Sequence, residues 1–68
     1  MIIQISCHAE DKMIIEGIDV AQIKDAITMG AIARQTDGYL ATYTYIKVAF
    51  VRKGEIYRIK TVFVGKGE

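Results

Sequence analysis

The stretch Tyr39-Leu40-Ala41-Thr42-Tyr43-Thr44-Tyr45-Ile46-Lys47-Val48-Ala49-Phe50-Val51 decides the fold class. It is rich in β-branched and aromatic side chains, which suit a pleated, half-buried surface. Two turn signals flank it. Asp37-Gly38 is a strong two-residue hairpin signal, and Lys53-Gly54 is a weaker one. No Gly, Pro or Asn interrupts the interval between them. The pattern therefore predicts a meander of strands at 31–36, 39–52 and 55–64. Its central strand is long, with a bend or bulge near Thr44.

The second hairpin's register follows from its pattern. With Lys53-Gly54 as the loop, Arg52 faces Glu55, Phe50 faces Tyr57, Val48 faces Ile59 and Ile46 faces Thr61. That face, extended to Phe63, is almost wholly apolar and is expected to meet the helices. The other face pairs Val51 with Ile56, Ala49 with Arg58 and Lys47 with Lys60. A shift by one residue would mix cations into the apolar set, so the first pairing is preferred. Carried back along an unbroken strand, the alternation puts Tyr39, Tyr43 and Tyr45 on the Lys47 side, with Arg34 added opposite Ala41. A bulge would instead turn some of these tyrosines into the core.

Upstream of the sheet the period is helical. Ser6 is a plausible N-cap for a helix over Cys7 to Glu16, stopped by Gly17. Ala9, Met13 and Ile14 are its apolar members. Asp19 with Gln22 three residues later makes a variant capping box for a second helix. Val20, Ile23, Ala26 and Ile27 form its stripe, and Gly30 ends it. Ile2, Ile3 and Ile5 form either a short edge strand or a segment tucked under the sheet. The expected fold is α+β: two N-terminal helices packed on an antiparallel β meander of three to four strands. The tail Gly65-Lys66-Gly67-Glu68 reads as frayed.

The chain has 68 residues, enough for one domain spanning 1–68. A domain this small buries only about 60% of its unfolded surface and usually needs a supplement. Cys7 is the only cysteine and His8 the only histidine. No disulfide can close within the chain, and a structural zinc site needs four ligands. A homo-oligomer is the expected supplement, consistent with 51% apolar residues. A lone cysteine suits a reducing compartment. No run approaches the ~20 apolar residues of a membrane span, and the N-terminus does not read as a signal peptide. The expected location is the cytoplasm, with no membrane partner and no cofactor.

Net charge is +1 but uneven. Residues 1–30 hold Lys12 and Lys24 against Glu10, Asp11, Glu16, Asp19 and Asp25. Residues 31–68 hold seven cations, Arg34, Lys47, Arg52, Lys53, Arg58, Lys60 and Lys66, against Asp37, Glu55 and Glu68. The expected open sheet face carries Arg34, Lys47, Arg58 and Lys60 among three tyrosines. A like-charge Lys47–Lys60 pair is unfavourable for the sheet alone and points to an anionic partner. The plainer reading is that both amines splay into water.

Ser6-Cys7-His8-Ala9 through Lys12-Met13 and Gly17-Ile18 resembles a family of small bacterial and archaeal domains of unknown function. Its pattern is His-Ala, three residues, Met, three residues, Gly-Ile. The family closes with an Ile-x-Thr-Val-aromatic strand, here Ile59-Lys60-Thr61-Val62-Phe63. The family is similar to toxin domains of the RelE and BrnT type, compact α+β ribonucleases or relatives of them, usually encoded beside an antitoxin. The resemblance implies that His8 matches the signature histidine. Lys12 stands where the family usually has Arg, and Glu16 where it often has another. Exchanging guanidinium for ammonium or carboxylate weakens phosphate binding on that helix.

Metal-independent RNA cleavage needs a base for the 2′-hydroxyl, an acid for the leaving oxygen, and cations on the phosphate. An imidazole such as that of His8 suits proton transfer near neutrality, and Arg58 and Lys60 would hold the phosphate. The candidate RNA-binding residues are Lys12, Arg34, Lys47, Tyr45, Arg58 and Lys60; Tyr57 or Tyr45 could donate a proton or stack on a base. A lone histidine in a first helical turn is more often a capping or packing residue. Moreover, its helix packs on the face opposite Arg58 and Lys60. Cys7 reads as a small buried residue. No phosphate-loop glycine spacing and no metal-binding set is present. The functional expectation is a toxin-like, RNA-binding or RNA-cleaving domain; the alternative is a non-catalytic homodimeric protein-interaction module.

Overall fold

In the computed structural model, which describes residues 1–65, the order is strand, two helices, four strands. Lys66, Gly67 and Glu68, most of the tail read as frayed, lie outside the described residues. The elements are β1 (Ile2–Ile5), α1 (Cys7–Glu16), α2 (Val20–Met29), β2 (Ala31–Gln35), β3 (Gly38–Tyr43), β4 (Ile46–Lys53) and β5 (Ile56–Val64). They form one sheet in the order β1-β5-β4-β3-β2. The α+β class stands. The expected arrangement is corrected in two respects. A strand precedes the helices, and the sheet is five-stranded and mixed, because β1 adds parallel to β5 beyond the antiparallel meander β2–β5. The two helices carry the chain from β1 to β2, the opposite edge of the sheet, and the meander then returns strand by strand until β5 pairs parallel with β1.

Both helices begin and end on the expected caps. The Ser6 hydroxyl accepts from the Ala9 amide at 3.1 Å, and Gly17 closes α1 at φ 72. Asp19 and Gln22 form a reciprocal capping box. α2 buries Ile23, Ala26 and Ile27, whereas α1 buries only Ala9 and half-buries Met13. Ile14, placed on the apolar stripe by spacing, is 76% exposed, and Ile15 is 72% exposed.

The long central strand does not exist as one piece. Tyr43 pairs with Ile46, so Thr44-Tyr45 is a two-residue hairpin loop. Thr44 takes φ 55, a conformation costly for a β-branched residue. Its hydroxyl donates to the Tyr43 carbonyl. The sequence offers no turn residue here, and the bend or bulge expected near Thr44 is instead a full reversal. It reverses the chain and turns Tyr39, Ala41 and Tyr43 to the helix-bearing face, where Tyr39 and Tyr43 pack against the core.

The β4–β5 register also differs. Lys53 pairs with Ile56 and Phe50 with Ile59. Gly54, at φ 62, thus occupies the first loop position, as a type II′ hairpin requires. The shift of two residues preserves the faces. A bulge then follows: Phe50 opposes Ile59 but Ala49 opposes Thr61, leaving Lys60 extra. Past the bulge Val62 and Val64 face the helices, while Phe63 moves to the open face opposite Lys47. The core is Ala9, Ile18, Ile23, Ala26, Ile27, Ala41, Ile46, Val48, Phe50, Ile59 and Val62. Full burial of a side chain such as Ile23 or Ile59 contributes about 1.5–3 kcal/mol.

Gly30 joins α2 to β2 where backbones nearly touch. A Cβ there would lie 2.5 Å from both the Ala26 and Thr42 carbonyl oxygens. Gly30→Ala is expected to destabilise the fold by about 1–3 kcal/mol. Thr44→Gly, which relieves a positive φ, is expected to stabilise it by about 1 kcal/mol. Urea midpoints at unchanged m-value check both.

Candidate nucleic-acid interface

Folding converts the uneven charge of the chain into charged layers. The two helices and the Asp19 cap carry Glu10, Asp11, Glu16, Asp19 and Asp25 against Lys12 and Lys24. The five strands carry Arg34, Lys47, Arg52, Lys53, Arg58 and Lys60, and no Asp or Glu. Both helices lie on one side, so one sheet face is covered by no helix among the described residues.

Alternation assigns Gln4, Ile56, Arg58, Lys60, Thr61, Phe63, Lys47, Ala49, Val51 and Lys53 to this open face. Arg58 stands between Gln4 on β1 and Val51 on β4. Lys60, at the bulge, reaches across to donate from Nζ to the Asp37 carbonyl at 3.2 Å. Lys47 is half-buried and opposes Phe63. The expected Lys47–Lys60 pair is therefore absent; the bulge replaces it with Lys47 beside an aromatic ring. Phe63 is the open-face aromatic that the simple alternation missed. Its signal lay in Ile59-Lys60-Thr61-Val62, where two polar residues in a row break the period of two.

Other candidates fall elsewhere. Arg34 opposes Tyr39, not Ala41, and belongs by register to the helix-bearing face. Its residue also borders an open polar depression with Gln35, Thr36, Asp37 and Lys60 at the sheet end. Lys12 lies on α1, 3.5 Å from Glu16, an i,i+4 ion pair of the kind that contributes a few tenths of a kcal/mol. Tyr45 sits in the β3–β4 loop and is 56% exposed. Tyr57 is half-buried on the helix-bearing face, against the core. Lys47, Arg58 and Lys60 are thus brought to one face; Arg34 and Lys12 are not.

His8 is exposed in the first turn of α1. The start of this helix is pinned to the bulge. The Ser6 amide donates to the Ile59 carbonyl at 3.3 Å, and the Ser6 hydroxyl donates to the Lys60 carbonyl at 3.2 Å. His8, two residues on, therefore starts near the Lys60 backbone at the middle of β5, whereas the Lys60 side chain reaches away to Asp37. No side-chain hydrogen bond reaches His8 among the described residues. Cys7, expected to be buried, is exposed, because the buried position of that turn goes to Ala9. No group of three or more His, Cys, Asp or Glu side chains suited to a metal occurs among the described residues. No described helix is long and apolar enough to cross a membrane.

No protein-family model, curated protein or solved structure matches this chain.

Ser6 caps a helix and ties it to β5 with one hydroxyl. Ser6→Ala is expected to cost about 1–2 kcal/mol of stability. Amide exchange in α1 should quicken more than in β3 and β4, since only α1 loses its anchor.

Proposed function

We propose that the chain is a toxin-like domain, of the RelE and BrnT kind its motifs resemble, that binds RNA across its helix-free sheet face. One observation carries this reading: the strands hold six cations and no carboxylate, whereas the helix layer is acidic. Four of the six, Lys47, Lys53, Arg58 and Lys60, fall by alternation on the open face, and a face so charged attracts a polyanion and turns the acidic helices away from it. Lys47, Arg58 and Lys60 hold phosphates, and Phe63 supplies a flat surface beside Lys47 for a base.

The finer part of the reading is cleavage without metal. His8 takes the proton of a 2′-hydroxyl, whose oxygen then attacks phosphorus. The bond to the 5′-oxygen breaks as a cyclic phosphate forms, and that oxygen takes a proton from solvent water. Support for His8 is its helix's anchorage at Lys60. Against it stand Lys12 and Glu16, which differ from the arginines usual in the family it resembles. An antitoxin would be the natural protein partner, and an acidic one would compete with RNA for the basic face.

The alternative is a non-catalytic homodimeric module. Ile14 and Ile15, 76% and 72% exposed on consecutive positions of α1, favour it, since such residues mark contact surfaces when they cluster.

The test is binding of an unstructured RNA oligomer in EDTA at several salt concentrations. The wild type should bind with a steep salt dependence. Lys47→Gln/Arg58→Gln/Lys60→Gln should weaken binding and flatten the log–log salt slope by about 2, at roughly 0.7 per phosphate contact on a single strand. Cleavage that vanishes in His8→Ala would establish the catalytic part. Binding without cleavage would leave an RNA-binding module. Absence of both, with a dimer mass that Ile14→Lys/Ile15→Lys reduces to a monomer, would favour the alternative.

A further inference from the structure

The helix-bearing face is only partly covered. α1 packs chiefly along β5, and α2 over β3 and β4. Towards the β2–β3 and β4–β5 loops a groove of about 190 Å³ stays open, lined by Ile27, Ile32, Tyr39, Phe50, Arg52 and Tyr57. An aromatic row crosses three strands beneath it, with half-buried Tyr39 and Tyr57 flanking Phe50, which is 3% exposed. Tyr39 and Phe50 stack with centroids 5.5 Å apart, and Phe50 and Tyr57 lie 5.7 Å apart. Ile27 and Ile32 form the apolar wall.

Arg52 closes the groove at one end, and it is held in place. Its Nε donates to the Gly54 carbonyl at 3.0 Å, and its Cζ lies 5.2 Å from the centre of the Tyr57 ring. Among the described residues the terminal amino groups of the guanidinium make no hydrogen bond. No ion pair involves Arg52 among the described residues. A fixed guanidinium without a carboxylate partner matches a planar anion in fork geometry. The aromatic row matches the face of a ring. Pockets for drug-sized ligands run to about 300–1,000 Å³, so this one suits something nearer a single ring.

We propose that this groove binds a small aromatic carboxylate, with its ring between Tyr39, Tyr57 and Ile32 and its carboxylate on Arg52. The site lies on the face opposite Lys47, Arg58 and Lys60. It neither requires nor excludes RNA binding there.

The test is an amide-resolved NMR titration of the whole chain with benzoate, benzamide and cyclohexanecarboxylate. Benzoate should give saturable shifts centred on Tyr39, Phe50, Arg52 and Tyr57, with Kd of about 1 mM, as expected for so few atoms. Removing the charge (benzamide) or the aromatic ring (cyclohexanecarboxylate) should each weaken binding about tenfold. Arg52→Gln, at an exposed position, should weaken benzoate about tenfold and leave benzamide unchanged. Unsaturable shifts would overturn the proposal. So would equal affinity for benzoate and cyclohexanecarboxylate, or benzoate binding untouched by Arg52→Gln. Concentration-dependent broadening of the groove signals without ligand would overturn it too, by assigning the groove to a second copy of the chain.

Discussion

The bulge at Lys60 is the constraint on which the rest of the molecule depends. One extra residue in β5 moves Val62 and Val64 to the helix side and Phe63 to the open side. The carbonyls on either side of this irregularity, of Ile59 and Lys60, are taken by the amide and hydroxyl of Ser6. A bulged strand disrupts its ladder, and here the start of α1 takes up part of the slack. The same serine ends β1 and caps α1. Core composition, helix placement and the character of the open face thus meet at a single irregularity.

Two consequences run in opposite directions across the sheet. On the open side, the bulge separates Lys47 from Lys60 and seats Lys47 opposite Phe63, which removes a repulsive pair that a regular ladder would impose. On the helix side, the hairpin at Thr44-Tyr45 brings Tyr39 onto Phe50, beside Tyr57. The aromatic residues and most of the sheet cations therefore part company. On the helix side Arg52 lies over the Tyr57 ring.

Short helices explain the rest. Ten residues each, they reach about half the length of the sheet's longer strands' hairpins at 1.5 Å per residue, against about 3.3 Å for a strand. α2 offers three buried residues and α1 only one. The outer parts of Tyr39 and Tyr57 consequently stay uncovered beside Ile27 at the end of the helix layer, and the groove opens there. α1 is held more by its caps and by Ser6 than by an apolar face, which is why Ile14 and Ile15 point outward.

Local chemistry was legible in the sequence. Ser6, Gly17, Asp19, Gln22 and Gly30 bound both helices where their side chains or lack of one dictate, because capping acts within four residues. The switch from helical to β periodicity, and the helix-free face bearing Lys47, Arg58 and Lys60, followed from spacing alone. What required the tertiary structure was everything decided by partners distant in the chain. β1 is a strand only because β5, more than fifty residues away, offers it an edge. Thr44 turns, without a turn residue, because pairing of Tyr39 with Phe50 and Tyr43 with Ile46 outweighs a local cost. The bulge at Lys60 holds because Ser6 meets the carbonyls there. Propensity records what a residue prefers alone; register and face are set by the burial and hydrogen bonding of whole strands, and those energies appear only when the sheet is assembled.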